Sequence, residues 1–210
     1  ARREGTPMLS FVFRDHARLA VHAALLFAAG AFAACPAVCY RWQALARLPL
    51  AMLRFLVRLM GPAPGILRVA AVIFGFNGLA IFLYMASGIH PVLPKLFALW
   101  TGFNVCVVSA VAGRGNLLGA LRPADDRWRP PPGLAAACGL LVLLLELPCF
   151  WLALAMGMSM GHAVRSGAAS YPHALGARAA AYAAVILPLL LLSALAEAVA
   201  IGAQAGHTEP

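Results

Sequence analysis

Leu140–Gly161 reads LLVLLLELPCFWLALAMGMSMG, apolar throughout except for one acid, Glu146, near its middle. An apolar run of about 18 residues or more is long enough to cross a bilayer as a helix. Several other windows of the chain meet the same criterion. The whole sequence is 63% hydrophobic and 11% charged, with a mean hydropathy of +0.86. Soluble domains carry about 25% charged residues, so this composition excludes that class. The fold class it predicts is all-α: a polytopic helical membrane protein with five transmembrane helices and one interfacial amphipathic helix.

Read outward from that stretch, the spans fall at about 19–40, 66–86, 95–113, 133–160 and 179–202. They form a single membrane domain between a basic head, 1–18, and a polar tail, 203–210. The first span is rich in small residues, with Gly30, Ala31, Ala33 and Ala34 available for close helix contact. Pro36 kinks or ends it, and Tyr40-Arg41-Trp42 has the character of an interfacial anchor. Gly157 and Gly161 make a second small-xxx-small pair. The most polar connection is 114–132, with Asp125-Asp126 and the stiff Pro130-Pro131-Pro132. Five crossings place the two ends of the domain on opposite membrane faces. Lys and Arg divide too evenly between those faces to orient the chain.

Residues 43–60, QALARLPLAMLRFLVRLM, differ from the spans. Arg47, Arg54 and Arg58 recur at i, i+7 and i+11, which places all three on one helical face. Three aligned arginines are costly in mid-membrane, whereas an in-plane helix keeps them among headgroups. Gly61-Pro62-Ala63-Pro64-Gly65 then turns the chain.

The net charge is +9, from 16 Lys+Arg against 7 Asp+Glu. The basic residues lie between apolar segments, so the expected partners are anionic lipid headgroups and not nucleic acid. Only Lys95 is a lysine. With the abundant alanine, that bias points to a GC-rich bacterial genome and to the bacterial inner (cytoplasmic) membrane. No cleavable signal peptide is expected, because the first apolar run is long and lacks a cleavage site. The five cysteines, Cys35, Cys39, Cys106, Cys138 and Cys149, have neither redox nor zinc spacing and read as small apolar residues.

Two acids lie within spans, Glu146 and Glu197. An ionised side chain at mid-membrane costs at least about 2.5 kcal/mol, so such a group faces the bundle interior, pairs, or carries a proton. Asn77 and Asn104 lie near the middle of the second and third spans. If the four converge, Asn77, Asn104, Glu146 and Glu197 form one intramembrane polar cluster, whose roles are a proton- or cation-responsive site or a hydrogen-bonded lock between helices. Pro148 and Pro188 each release a backbone carbonyl inside a helix and are the expected kinks. His90, His162 and His173 lack metal-ligand spacing, so no metal or other cofactor is expected. The serines have no nucleophile elbow and no His–Asp partners at comparable depth, so no catalytic residue is expected.

The ordered landmarks resemble those of the stage II sporulation protein M family. They are Phe13-Arg14-Asp15 before the first span, Phe76-Asn77 in the second and Asn104-Val105 in the third. Glu146-Leu147-Pro148 follows in the fourth, then Pro188 and Ala194-Leu195-Ala196-Glu197 in the last. Val142-Leu143 stand where that family has His-Gly. The resemblance implies a helical membrane protein without enzymatic activity that serves as the membrane component of a cell-wall-remodelling assembly. The expected function is therefore a non-enzymatic membrane subunit or scaffold, held to other membrane subunits or to copies of itself. The alternative is a small proton- or cation-linked transporter or channel using Glu146.

Overall fold

A computed structural model describes residues 16–40, 42–62, 64–112 and 132–205. Hydrocarbon offers no hydrogen-bond partners, so a spanning backbone must satisfy itself, and the described segments are helical with no strand among them. Helix α1 is Ala17–Ala33 and the short α2 is Cys35–Cys39. The amphipathic helix α3 is Gln43–Met60. Helix α4, Ile66–Ala86, runs into a 3₁₀ turn, Ser87–Ile89, and α5 is Leu93–Ala112. Helix α6 is Pro132–Arg165 and α7 is Tyr171–Ala181. A π turn, Tyr182–Ile186, joins α7 to α8, Leu187–Ala205. Five segments are long and apolar enough to cross a membrane: Ala17–Cys39, Ile66–Ile89, Leu93–Ala110, Ala137–Arg165 and Tyr171–Gly202. The chain is an all-α polytopic membrane protein.

Element boundaries depart from expectation in informative places. The first span hands over from α1 to α2 at Ala34, with Pro36 in the first turn of the new helix, where a missing N–H costs nothing. The fourth span continues past Met160 to Arg165, and the fifth begins at Tyr171 instead of 179. The polar connection expected over 161–178 therefore shrinks to 166–170. His16, assigned to the head, is buried. The rest of the head, most of the 114–132 connection and the end of the tail lie outside the described residues.

The five spans pack through small residues. A Cβ on Gly30 would strike the Leu99 carbonyl, and one on Gly102 would strike that of Phe27, so α1 and α5 touch backbone to backbone. Gly88, Gly157 and Gly161 do the same where the 3₁₀ turn meets α6. Between membrane helices there is little hydrophobic driving force, and such close approach supplies van der Waals contact instead. Ala34 is buried as expected, whereas Ala33 is exposed. The main core lies where α4, α6 and α8 meet, around Ile81, Met85, Met156, Ile186 and Leu190. All five cysteines are free; Cys149 is buried in this core, whereas Cys35 and Cys39 are exposed.

Helix α3 covers one end of the bundle. Arg47, Arg54 and Arg58 are exposed along one face. Pro49 and Met60 are buried on others. Gly61 ends α3 with φ of 76°, a conformation that glycine adopts without strain. Arg68 donates from Nη2 to the Leu59 carbonyl at 3.3 Å, placing a cation at the negative end of the α3 dipole.

Replacing Gly30 with Leu should destabilise the fold by about 1–3 kcal/mol through overpacking. At Gly75, by contrast, a Cβ would meet nothing within 4 Å, and Gly75→Ala should stabilise α4 by about 0.5–1 kcal/mol. Steric-trap unfolding in bicelles reads both. Equal tolerance at the two positions would show that the α1–α5 contact is not close.

Candidate functional site

Four helices each turn a stripe of side chains toward one cavity, at spacings of three or four residues that keep them on a single helical face. Phe76, Asn77, Ala80 and Tyr84 come from α4. Thr101, Asn104 and Val108 come from α5, and Val142, Glu146 and Phe150 from α6. Pro49, Met52, Leu53 and Leu56 come from α3, and Glu197 from α8 completes the wall. The cavity volume is about 300 Å³, room for on the order of ten waters at about 30 Å³ each.

All four polar residues expected from sequence thus reach the same space. Asn77 Nδ2 donates to Glu146 Oε1 at 2.9 Å, bridging α4 and α6. Asn104 Oδ1 is buried and has no donor among the described residues. Glu197 lines the cavity without a hydrogen-bond partner among the described residues. Among the described residues no Lys, Arg or His lines the cavity. The arrangement therefore brings the oxygen acceptors of Asn104, Glu146 and Glu197 together from three helices, with the Asn77 amide committed to Glu146 and the Thr101 hydroxyl to the Phe97 carbonyl. Chemically, it suits a proton, a small cation, or a ligand bearing N–H or O–H donors. No group of three His, Cys, Asp or Glu suited to a metal occurs among the described residues.

The cavity lies off the midplane. At about 1.5 Å per residue, Glu146 is about 14 Å from the Ala137 end of its span, and Glu197 about 8 Å from the Gly202 end of its own. Those ends share a membrane face with α3, which joins the end of the first span to the start of the second. Pro49, Met52, Leu53 and Leu56 lie opposite the arginine face of α3. The helix thus closes the cavity with its apolar side and turns its charges away.

The two expected kinks differ. Pro188 directly follows the π turn. Slipping from i+4 to i+5 bonding absorbs the donor that proline lacks. The buried Tyr182 in that turn donates its hydroxyl to the Gly78 carbonyl at 2.5 Å, next to Asn77 in the chain. Pro148 lies inside the unbroken helix α6 with its ring exposed.

A second polar network lies at the opposite membrane end. Sequence reasoning missed it. Arg178, expected in a loop, is in α7 and partly buried. It donates to the Met156 carbonyl at 3.1 Å, to Ser159 Oγ at 3.1 Å and to the Ala174 carbonyl at 3.0 Å. Ser159 Oγ also donates to the Met156 carbonyl at 3.0 Å and lies 3.0 Å from His16 Nε2. A signal was present, because Arg178 stands seven residues after Tyr171 at a regular helical interval. Its charge hid that regularity.

No family model, curated protein or solved structure matches the chain.

A double-mutant cycle on Asn77→Ala and Glu146→Ala should yield a coupling of about 0.6 kcal/mol, the usual worth of an interhelical hydrogen bond in a membrane. Unfolding measured in bicelles supplies the four stabilities. Zero coupling would mean that the α4–α6 bridge contributes nothing to holding the helices together.

Proposed function

We propose that this multi-pass membrane protein binds a proton or small cation in the cavity under α3 and works as a small proton- or cation-linked transporter or channel. The observation that carries the reading is the convergence of Glu146, Glu197 and the Asn104 oxygen on one cavity, with no donor to that oxygen and no basic side chain in the lining among the described residues. A purely structural lock needs each acceptor paired, as Asn77 pairs Glu146, and leaves no space beside it. Here two acceptors and about 300 Å³ remain. The roles follow from position. Glu146 is the principal charge site, Asn77 orients its carboxyl, Glu197 is the second carboxyl, and Asn104 offers a neutral oxygen. Helix α3 lies in the membrane interface with Arg47, Arg54 and Arg58 among anionic headgroups, and its displacement opens the cavity. The arginine- and alanine-rich composition supports a bacterial cytoplasmic membrane as the location.

A second reading is a non-enzymatic membrane subunit or scaffold, as the resemblance to the stage II sporulation protein M family implies. One feature favours it. An apolar groove of about 750 Å³ runs along α1 past Phe27 and Cys106 to Trp151. Its dimensions suit a helix of another subunit or of a second copy. In that case the polar cavity fixes helix register and carries no flux.

Proteoliposomes separate the two. Under an imposed proton or sodium gradient, the transporter reading expects flux above that of empty vesicles and a loss of at least about tenfold in Glu146→Gln, which retains the acceptor oxygen but removes ionisation. Flux equal to that of empty vesicles, with a stoichiometric partner retained in gentle detergent, would establish the subunit reading instead.

A further inference from the structure

The membrane face opposite α3 carries its own pocket, of about 590 Å³, between α1, α5 and α6. Its polar lining is entirely neutral or basic: His22 from α1, Lys95 from α5, and Ser159, His162 and Arg165 from α6. Leu19 and Met158 form an apolar flank. Lys95 lies in the first turn of α5 and Arg165 ends α6, so both side chains sit at headgroup level. Among the described residues neither has an ion pair. The only described acids are Glu146 and Glu197, and both line the other cavity. Behind Ser159 stands a third cation, the Arg178 guanidinium, whose hydrogen bonds run to Ser159 and to two carbonyls, with no carboxylate among its described partners. Among the described residues no acid accompanies these three cations, and such a group is unfavourable unless an anion enters.

We infer that this pocket binds the phosphate of an anionic lipid headgroup. The chemistry matches part by part. A guanidinium and an ammonium neutralise a phosphate, imidazole groups hydrogen-bond its oxygens, and the volume admits a glycerophosphate. The Leu19–Met158 flank suits the glycerol and the first acyl carbons. Basic pockets between membrane helices are recognised sites for such headgroups. This is a site with a defined stoichiometry, distinct from the diffuse attraction between anionic lipid and the exposed arginines of α3. It does not depend on the transport reading.

The test uses the full chain in nanodiscs of phosphatidylcholine with a minor fraction of phosphatidylglycerol, followed by native mass spectrometry. One phosphatidylglycerol should be retained well above its bulk fraction. Lys95→Gln with Arg165→Gln should weaken retention about 30-fold, and Lys95→Gln alone about fivefold, near the usual contribution of one surface cation each. Both side chains are exposed, so these variants keep the fold. Arg54→Gln with Arg58→Gln should leave retention unchanged. Inorganic phosphate forms the second arm. If it raises the melting temperature in pure phosphatidylcholine nanodiscs, and does so only with Lys95 and Arg165 present, the phosphoryl site stands and its natural ligand includes soluble phosphate. Retention at the bulk ratio without a phosphate effect, or retention indifferent to Lys95 and Arg165, overturns the inference.

Discussion

An unpaired polar group in hydrocarbon costs several kcal/mol, and this chain is arranged around avoiding that cost. Continuous helices settle the backbone almost everywhere. Where proline intrudes, the structure shows two remedies. Pro36 falls in the opening turn of a new helix, and Pro188 follows a π turn that shifts the bonding pattern ahead of it. Side chains complete the pairing elsewhere. Tyr171 donates to the Ala86 carbonyl at 2.8 Å, Ser87 to Tyr84 at 2.7 Å and Thr101 to Phe97 at 2.7 Å. Among the described residues the buried Asn104 Oδ1, Trp151 Nε1 and Ser193 Oγ go without a partner, and of these three Asn104 is the one that lines the cavity beneath α3.

Close packing makes the cavity possible as well as the bundle. The glycine contacts draw α1 onto α5 and the end of α4 onto α6, toward the face where the chain begins. On the other face α4, α5 and α6 line the cavity, and α3 supplies its remaining apolar wall. Its apolar stripe is placed by the same helical period that aligns its arginines, so the sequence feature that keeps α3 at the surface also aims Met52 and Leu56 into the cavity. Leu48, Phe55 and Leu59, exposed between those two faces, turn toward the lipid.

The helical class and the five spans were legible from hydropathy, since runs such as Ile66–Ala86 contain a single charge in 21 residues. The polar cluster was legible in part. Asn77, Asn104, Glu146 and Glu197 stand out against apolar neighbours, but which helices adjoin is a tertiary fact, and only contact brings them to one wall. Thr101 and Tyr84 could have been added by stepping three or seven residues along each helix from the polar positions. The errors came from reading charge as loop. Arg178 lies inside a helix because the Met156 and Ala174 carbonyls and the Ser159 hydroxyl take its donors. His16 is buried because the same hydroxyl lies 3.0 Å away. Hydropathy weighs each residue alone and cannot register a charge satisfied by a neighbouring helix.

Charge is thereby segregated across the bilayer. The described acids occupy the cavity beneath α3, while Lys95, Arg165 and Arg178 gather at the other face without a described acid. Separation of this kind gains no stability from ion pairing, so each cluster has to be stabilised by something other than its opposite. Arg47, Arg54 and Arg58 on α3 do not serve the carboxylates, because they lie on the far side of that helix from Glu146. On the proposed reading a proton or cation from solution serves the acidic cavity, and an anion from the bilayer surface serves the basic pocket. On that reading the two clusters answer to different phases, one to the aqueous ion composition and the other to the lipid composition. They share α6, on which Glu146 and Arg165 lie about 28 Å apart along the axis at about 1.5 Å per residue. One continuous helix, with Pro148 inside it, thus contributes residues to both the carboxylate cavity and the basic pocket.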